Sequence, residues 1–325
     1  MSNSRIFMIA ALALALAGVL ALTGSGTVLS LMTQAVIYAV FAVGVGLLLR
    51  QNGMVSFGHA LFFGVSGYIV GILMQLQVMP AELAILTVLA GIAVAAFCIG
   101  LVIVRVPGVA FGMLTLAIGQ MFFLTASRSR GLTGGADGMN IEWPATLFGV
   151  AQSELLKPGN MFLLSWTVLV VVLVLLALLL RGRFGSITEA VRDNEERARF
   201  IGIRTLAPRA AVYALSATVA GVAGLLSALN TGFVSPESLH WSVSGVGLMM
   251  VVVGGYKALW GPPLGAIVYF LAKDILGDYA NHWMAIFGIA LITVIVFSPT
   301  GIAGALIRLF KGKKPAPALR ARAAH

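Results

Sequence analysis

The stretch 28–49 reads VLSLMTQAVIYAVFAVGVGLLL, which is 22 consecutive residues without a charged side chain. A helix needs roughly 20 predominantly apolar residues to cross the hydrocarbon core of a bilayer. Similar runs recur along the chain, at about 6–23, 54–74, 83–104, 108–126, 161–180, 210–229, 243–256, 262–277 and 283–298. The pattern predicts an all-α, polytopic transmembrane helix bundle of about 8–10 spans. The count stays open because 243–256 and 262–277 are short, and a re-entrant segment around 52–68 or 243–277 is the alternative to full spans.

The composition excludes an ordinary soluble domain. The 325 residues are 60% hydrophobic and 10% charged, whereas soluble domains carry about 25% charged residues. The net charge of +10 does not indicate nucleic-acid binding, because basic residues next to membrane spans set the orientation of the chain. The single cysteine, Cys98, lies within an apolar run and has no second cysteine to pair with.

The basic residues predict which side each loop faces. If the N-terminus is cytoplasmic and ten spans cross, 17 of the 21 Lys and Arg residues fall on the cytoplasmic side, as the positive-inside rule requires. We therefore expect both termini in the cytoplasm. The first run is interpreted as a retained span, although a cleaved signal peptide stays possible. Residues 1–310 form the membrane domain, including a cytoplasmic segment at about 181–209, and 311–325 form a basic cytoplasmic tail.

The cytoplasmic segment 181–209 contains an amphipathic stretch. Ser186 is placed as a helix N-cap, and Glu189 follows three residues later as its capping-box partner. Gly202 is placed to end the helix. We therefore expect one short helix from Ser186 to Gly202. Such a helix either lies on the membrane interface or docks on a partner protein, and the pattern alone does not choose between them.

Polar residues also occur where the third span begins. Asn52 and Gly53 favour a turn, and Ser56, Gly58 and His59 follow it beside apolar residues. A polar side chain within a membrane is a functional hypothesis by default. The alternative is simple packing near the cytoplasmic interface. The candidate lining residues of a translocation path are Ser56, Phe57, Gly58 and His59.

The long loop 127–160 on the outer side carries the glycine-rich run LTGGADG at 132–138. Successive amides in such a turn are able to form an anion-binding nest. This pattern favours a gate at the outer mouth or a contact with another protein, and the alternative is an ordinary turn capped by Asp137. The candidate gate residues are Gly134, Gly135, Asp137 and Gly138. Residues 236–241 indicate a second outer or re-entrant loop.

Several segments together carry a family resemblance. They read NGMVSFGHALFFGVSGY at 52–68, VPGVAFGMLTLAIGQMFF at 106–123, LTGGADGM at 132–139, EAVRDNEERARFIGI at 189–203, TGFVSPESLHW at 231–241, GGYKALWGPPLGA at 254–266 and FSPTGIAG at 297–304. In this order they resemble the LivM-type permease subunits of branched-chain amino acid ABC importers. The resemblance covers residues from about 30 to 305. Tyr256, Lys257 and Ala258 depart from the small-residue stretch of that family.

The resemblance implies a permease of the bacterial inner membrane that works with other chains. They are a second homologous permease subunit, two cytoplasmic ATPase subunits and a periplasmic substrate-binding protein. No GxxxxGK[ST] phosphate loop occurs in the sequence, so we expect ATP to bind to the partner subunits, with no cofactor and no enzymatic activity in this chain. The residues expected to couple to the ATPase are Glu189, Ala190, Arg192, Asp193, Asn194, Glu195, Arg197 and Gly202.

The substrate and the transport class have alternatives. Related permeases carry urea or short amides, so these compete with branched-chain amino acids. An ion-coupled secondary transporter is a different class and would place charged residues in mid-span, where few are found. A membrane enzyme is disfavoured because no HExxH, GxSxG or paired intramembrane carboxylate occurs in the sequence.

Overall fold

The described part of the chain is almost entirely helical. The structure, a computed structural model, describes residues 3–279, 288–289, 292 and 300–311. Its helices are α1 (Asn3–Thr23), α2 (Gly26–Asn52), α3 (His59–Leu76), α4 (Ala81–Ile103), α5 (Val109–Arg128), α6 (Arg130–Thr133), α7 (Gln152–Leu155), α8 (Pro158–Arg181), α9 (Arg183–Asp193), α10 (Glu195–Phe200), α11 (Leu206–Thr231), α12 (Trp241–Gly254), α13 (Gly261–Tyr279) and α14 (Gly301–Lys311). The predicted all-α polytopic bundle is confirmed.

Short strands and 3₁₀ turns occur only in the loops of the described part of the chain. The strands are β1 (Met139–Asn140), β2 (Thr146–Leu147), β3 (Val150–Ala151) and β4 (Phe233–Val234). Strand β1 pairs antiparallel with β4, which joins the loop after α5 to the loop after α11. Strands β2 and β3 form a separate hairpin. Gly135–Asp137 and Pro236–Leu239 are 3₁₀ turns.

Helices α2, α3 and α11 form the centre of the bundle. Helix α11 packs against α2, α3 and α4, and most residues of the three central helices are buried. Small residues make this possible, because they let helix backbones approach closely. At Gly224 an added Cβ would lie only 1.9 Å from the carbonyl oxygen of Phe63. In α1, α4, α5 and α8 only a minority of the residues are buried, and the helices are strongly apolar, which suits contact with lipid.

The helices correspond closely to the predicted spans. By length and composition, seven helices in the described residues are able to cross a membrane, and α12 is a shorter apolar helix. The predicted span 54–74 begins later, at His59, because 53–58 form an irregular loop. The predicted break between 243–256 and 262–277 is present: α12 ends at Gly254 and α13 begins at Gly261. The predicted span 283–298 and the tail after residue 311 lie almost entirely outside the described residues.

Candidate functional site

Polar side chains gather at the two opposite ends of the central helices. We call one the α9 end, where α9 and α10 meet the last turn of α2 and the start of α11. We call the other the loop end, where the loops 129–157 and 232–240 cover α3, α5 and α11. Between them lies a buried cluster around His59. These are the places where the predicted site residues fall.

Helix α9 is fixed to the bundle by side-chain bonds. The buried Thr188 hydroxyl donates to Oε1 of Gln51 on α2, at 2.7 Å. The Arg192 guanidinium donates to the carbonyl oxygen of Arg50 and pairs with the neighbouring Asp193 carboxylate, Nη2 to Oδ1 at 2.7 Å. Gly185, Thr188 and Val191 form the buried face of the helix. Movement of α9 is therefore linked directly to α2.

The prediction that Ser186 caps this helix was wrong. Helix α9 begins three residues earlier, at Arg183, and Gly182 precedes it in extended conformation. The cause is the close corner between α8 and α9, in which a Cβ at Gly185 would lie 1.9 Å from the carbonyl oxygen of Leu180. Because Gly185 is needed inside the first turn for this contact, the helix has already started when Ser186 is reached.

The predicted single helix is also divided in two. Asn194 is extended, with φ −159°, and its Oδ1 accepts from the amide of Arg197, so it caps a second helix, α10. The prediction that Gly202 ends the helical segment is confirmed. Gly202 has φ +85°, its amide donates to the carbonyl of Arg199, and the amide of Ile203 donates to that of Ala198. This pair of bonds is the Schellman arrangement.

Glu195 faces the bundle rather than the solvent. Its carboxylate pairs with Arg209 of α11 and with Arg199, Oε1 to Nη2 at 2.7 Å, and it accepts from the Thr205 hydroxyl at 2.9 Å. Partial burial raises the pKa of this carboxyl, but the Thr205 hydroxyl and the Arg209 and Arg199 guanidinium groups outweigh it and hold the pKa below its usual range. Glu195 thus joins α10 to α11.

The remaining predicted coupling residues lie on the surface. They are Glu189, Ala190, Arg192, Asp193, Asn194, Arg197 and Gly202. Beside them are two residues that the sequence reasoning missed: Phe200 is 89% exposed and Ile201 is 70% exposed. The available signal was an aromatic and a β-branched residue placed directly before the glycine of a helix end, among charged residues. We name the exposed residues Glu189–Gly202 the α9–α10 surface.

His59 is the centre of a fully buried hydrogen-bond cluster. Its Nδ1 lies 2.9 Å from Ser56 Oγ, and its Nε2 lies 2.6 Å from Ser216 Oγ on α11. The Ser216 hydroxyl donates to the carbonyl of Gly44 on α2, at 2.7 Å. Ser216 Oγ therefore accepts from the histidine, which assigns the proton of the neutral ring to Nε2. In this conformation the ring packs within the protein and faces no open cavity.

The loop 53–58 is attached to further helices around this cluster. The amide of Phe57 donates to Thr115 Oγ1 on α5, at 3.2 Å, and the amide of Ala60 donates to Ser244 Oγ on α12, at 2.8 Å. Ser216, Ser244 and Thr115 were missed from the sequence, because a hydroxyl in an apolar helix has no local pattern that reveals its partner. The four predicted residues Ser56, Phe57, Gly58 and His59 do lie together. Their role in translocation stays a prediction.

The glycine-rich run 132–138 forms a turn at the loop end. Gly134, Gly135 and Gly138 all have positive φ. At Gly138 this conformation is required by packing, since a Cβ there would lie 2.4 Å from the carbonyl oxygen of Val234. The exposed Asp137 carboxylate has no hydrogen-bond partner within the described residues, so a turn capped by this side chain is not what the structure contains.

The loop end encloses a cavity of 610 Å³. Its inner wall is formed by Tyr38, Phe63 and Gly224, and its mouth by the segment 231–243 with Phe123 of α5. Ser216 of the histidine cluster lies eight residues below Gly224 on α11, which corresponds to about 12 Å along the helix axis. The fully buried His59 and Ser216 lie between this cavity and the α9 end.

Comparison with known proteins decides what kind of membrane protein carries these features. The model of the family described as branched-chain amino acid transport system / permease component matches residues 27–296. The chain belongs to this family. The permease is 27% identical over 324 residues to the high-affinity branched-chain amino acid transport system permease protein LivM of Escherichia coli K12, covering 92% of this chain and 75% of the relative. No solved structure gives a significant match.

Two further relatives have a similar degree of identity. The BraD permease protein of Pseudomonas aeruginosa is 25% identical over 283 residues, and LivH of Escherichia coli K12 is 25% identical over 285 residues; each match covers 82% of the permease and 91% of the relative. Both relatives are named as permease proteins of a high-affinity branched-chain amino acid transport system. The resemblance drawn from the sequence motifs is therefore confirmed: the chain is a multi-pass transport subunit.

Proposed function

We propose that this chain is the inner-membrane permease subunit of an ATP-driven importer of branched-chain amino acids. It would pair with a second permease subunit and receive substrate from a periplasmic binding protein at the loop end. The pair would work with two cytoplasmic ATPase subunits, and this chain would dock one of them through its α9–α10 surface. The named relatives support the substrate class. Both termini would then be cytoplasmic.

The observation that carries the proposal is the mechanical link between the α9–α10 surface and the central helices. This surface is exposed, yet Thr188 ties it to α2 and Glu195 ties it to α11. The same two helices form the wall of the cavity and two sides of the His59 cluster. A force applied to α9 and α10 would therefore reach the closed layer of the pathway without passing through a flexible loop.

The ATPase contact would have an apolar centre and a charged rim. Phe200 and Ile201 supply exposed apolar area, and Arg197, Asp193 and Glu189 are exposed charged residues of the same surface. Protein interfaces commonly place aromatic residues at the centre and polar residues at the edge. We expect Phe200→Ala to lower ATP hydrolysis stimulated by the loaded binding protein by about tenfold, because buried aromatic anchors carry much of the binding energy.

The test uses the assembled transporter in proteoliposomes. Uptake of labelled leucine is measured with ATP inside, and the stimulated ATPase rate is measured alongside. Phe148→Ala is the matched control, since Phe148 is also an exposed phenylalanine, 61% accessible, but lies at the loop end. Uptake driven by a proton gradient without ATP would reject the importer. ATP-driven uptake of urea in place of leucine would reject the substrate class. Unchanged stimulation in Phe200→Ala would reject this docking surface.

A further inference from the structure

The mouth of the loop-end cavity holds two polar groups whose hydrogen-bonding capacity the described residues do not fully use. Glu237 lies in the 3₁₀ turn Pro236–Leu239, and its carboxylate has no hydrogen bond or ion pair to any residue that the structure describes. His240 follows three residues later and lines the same cavity. Glu237 supplies a carboxylate acceptor, and His240 supplies an imidazole.

The His240 ring is held in a fixed position. Its centroid lies 5.0 Å from that of Phe123, at an interplanar angle of 69°, and 5.5 Å from that of Trp241. Its Nδ1 lies 2.8 Å from the Ser242 hydroxyl oxygen and accepts from the amide of Ser242 at 3.4 Å. Because Nδ1 is an acceptor, the neutral ring carries its proton on Nε2. The ring therefore offers an N–H donor at Nε2, for which the structure gives no partner among its described residues.

The spacing of the two groups suits a small zwitterion. Residues i and i+3 eclipse one another in a 3₁₀ turn, with a rise of roughly 2 Å per residue. His240 directly follows the turn, and its amide donates to the carbonyl of Glu237 at 3.1 Å, so the two residues lie close together, about 6 Å apart along the axis of the turn. An α-amino acid carries its ammonium and its carboxylate on the same carbon. The ammonium matches the Glu237 carboxylate, and the carboxylate matches the Nε2 proton of His240.

The inner wall supplies the complementary apolar surface. Tyr38 and Phe63 form an aromatic pair with centroids 5.8 Å apart, and Phe41 adds a third ring 5.3 Å from Phe63. These rings come from α2 and α3 and hold each other in place. The cavity volume of 610 Å³ lies within the range of about 300–1,000 Å³ that is usual for small-molecule sites. A few polar groups at the mouth and an apolar interior are also usual.

We propose that Glu237 and His240 bind the ammonium and carboxylate of an apolar α-amino acid in the loop-end cavity, with its side chain against Tyr38 and Phe63. This site would receive the substrate on the permease before the His59 layer opens. The inference rests on the proposed import function and deepens it, because it locates a site for the substrate on this subunit. It also requires that the loop 232–240 faces the side from which substrate arrives.

The experiment measures uptake of labelled leucine by the assembled transporter in proteoliposomes while the concentration of the binding protein is varied. In Glu237→Gln we expect maximal uptake to fall by about tenfold, because the ammonium loses its charged partner. The binding-protein concentration that gives half-maximal uptake should change by less than about twofold. In His240→Gln maximal uptake should also fall, by less than in Glu237→Gln, and the half-maximal concentration of the binding protein should again change by less than about twofold. Glu142→Gln, an exposed carboxylate of the same end that does not line the cavity, is the control and should behave as wild type.

The outcomes separate the inference from the proposed function. A higher half-maximal concentration with maximal uptake preserved would mean that Glu237 contacts the binding protein, and this would overturn the inference. Unchanged uptake in both variants would overturn it as well. Leucine uptake by the wild-type transporter, measured in the same series, tests the proposed function by itself. If the wild type fails to import leucine, both proposals are rejected, whereas wild-type uptake with unaffected variants rejects the site alone.

Discussion

Two carboxylates at opposite ends of the bundle, Glu195 at the α9 end and Glu237 at the loop end, differ in their partners. At the α9 end the carboxylate of Glu195 binds two guanidinium groups and a hydroxyl, and Arg192 binds a backbone carbonyl of α2. At the loop end Glu237 has no such partner within the described residues. Groups bound by the protein hold helices together, whereas unbound groups stay available to a ligand. The first end is built to transmit movement and the second to receive a molecule.

Replacing the residue between the two ends should have the largest effect. We expect His59→Leu to lower the free energy of unfolding by about 3 kcal/mol, because the Ser56 hydroxyl and Ser216 Oγ each lose a buried partner. The measurement is the unfolding midpoint of the purified permease across a denaturing detergent series. His240→Leu is the control, at a half-buried position whose ring hydrogen bonds are all to the nearby Ser242, and should cost less than about 1 kcal/mol. Equal losses in both would show that the His59 cluster does not hold the bundle together.

The sequence predicted the helices better than it predicted the contacts between them. The spans follow from long apolar runs, so their positions and order were predictable while their number was left open, and Gly202 was recognisable as a helix end. The break at Asn194 was not, because Asn194 competes with helix continuation through a local cap whose use depends on how α10 packs. The pairing of His59 with Ser216 joins residues 157 positions apart. Such a contact depends on helix packing, which one sequence does not reveal.

The loop-end cavity was less accessible still to prediction. Residues 236–241 were expected to form an outer or re-entrant loop, but Glu237 and His240 were not selected as site residues. Their proximity to Tyr38 arises only when α2, α5 and the loop after α11 come together. Conversely, the glycine-rich run 132–138 was selected for its backbone freedom. In the fold Gly138 serves to let this turn pack on the carbonyl of Val234.

The contrast between bound and unbound carboxylates can be tested directly. Glu195→Gln should lower the unfolding free energy by about 1 kcal/mol, because a partly exposed ion-pair network contributes modestly. Glu237→Gln should change it by less than about 0.5 kcal/mol, since no protein partner among the described residues is lost. Unfolding midpoints of the two variants and of wild type are compared under the same conditions. A cost at Glu237 as large as that at Glu195 would remove the distinction between the two ends.

Acid titration of stability provides the finest test of the α9 end. The pKa of Glu195 is lowered in the folded protein, because the Thr205 hydroxyl and the two arginines together outweigh the effect of partial burial. The unfolded chain has a glutamate pKa of about 4.3. The ionised carboxylate therefore stabilises the folded state fully above about pH 4.3, and this contribution is lost as the pH falls through the lower folded value.

Wild type should lose its advantage over Glu195→Gln between about pH 5 and pH 3. Glu196→Gln is the matched control, because the exposed neighbour Glu196 has no ion pair among the described residues. A difference between wild type and Glu195→Gln that persists in acid would mean that the carboxylate charge contributes nothing to the junction of α10 and α11, and that hydrogen bonds alone hold it.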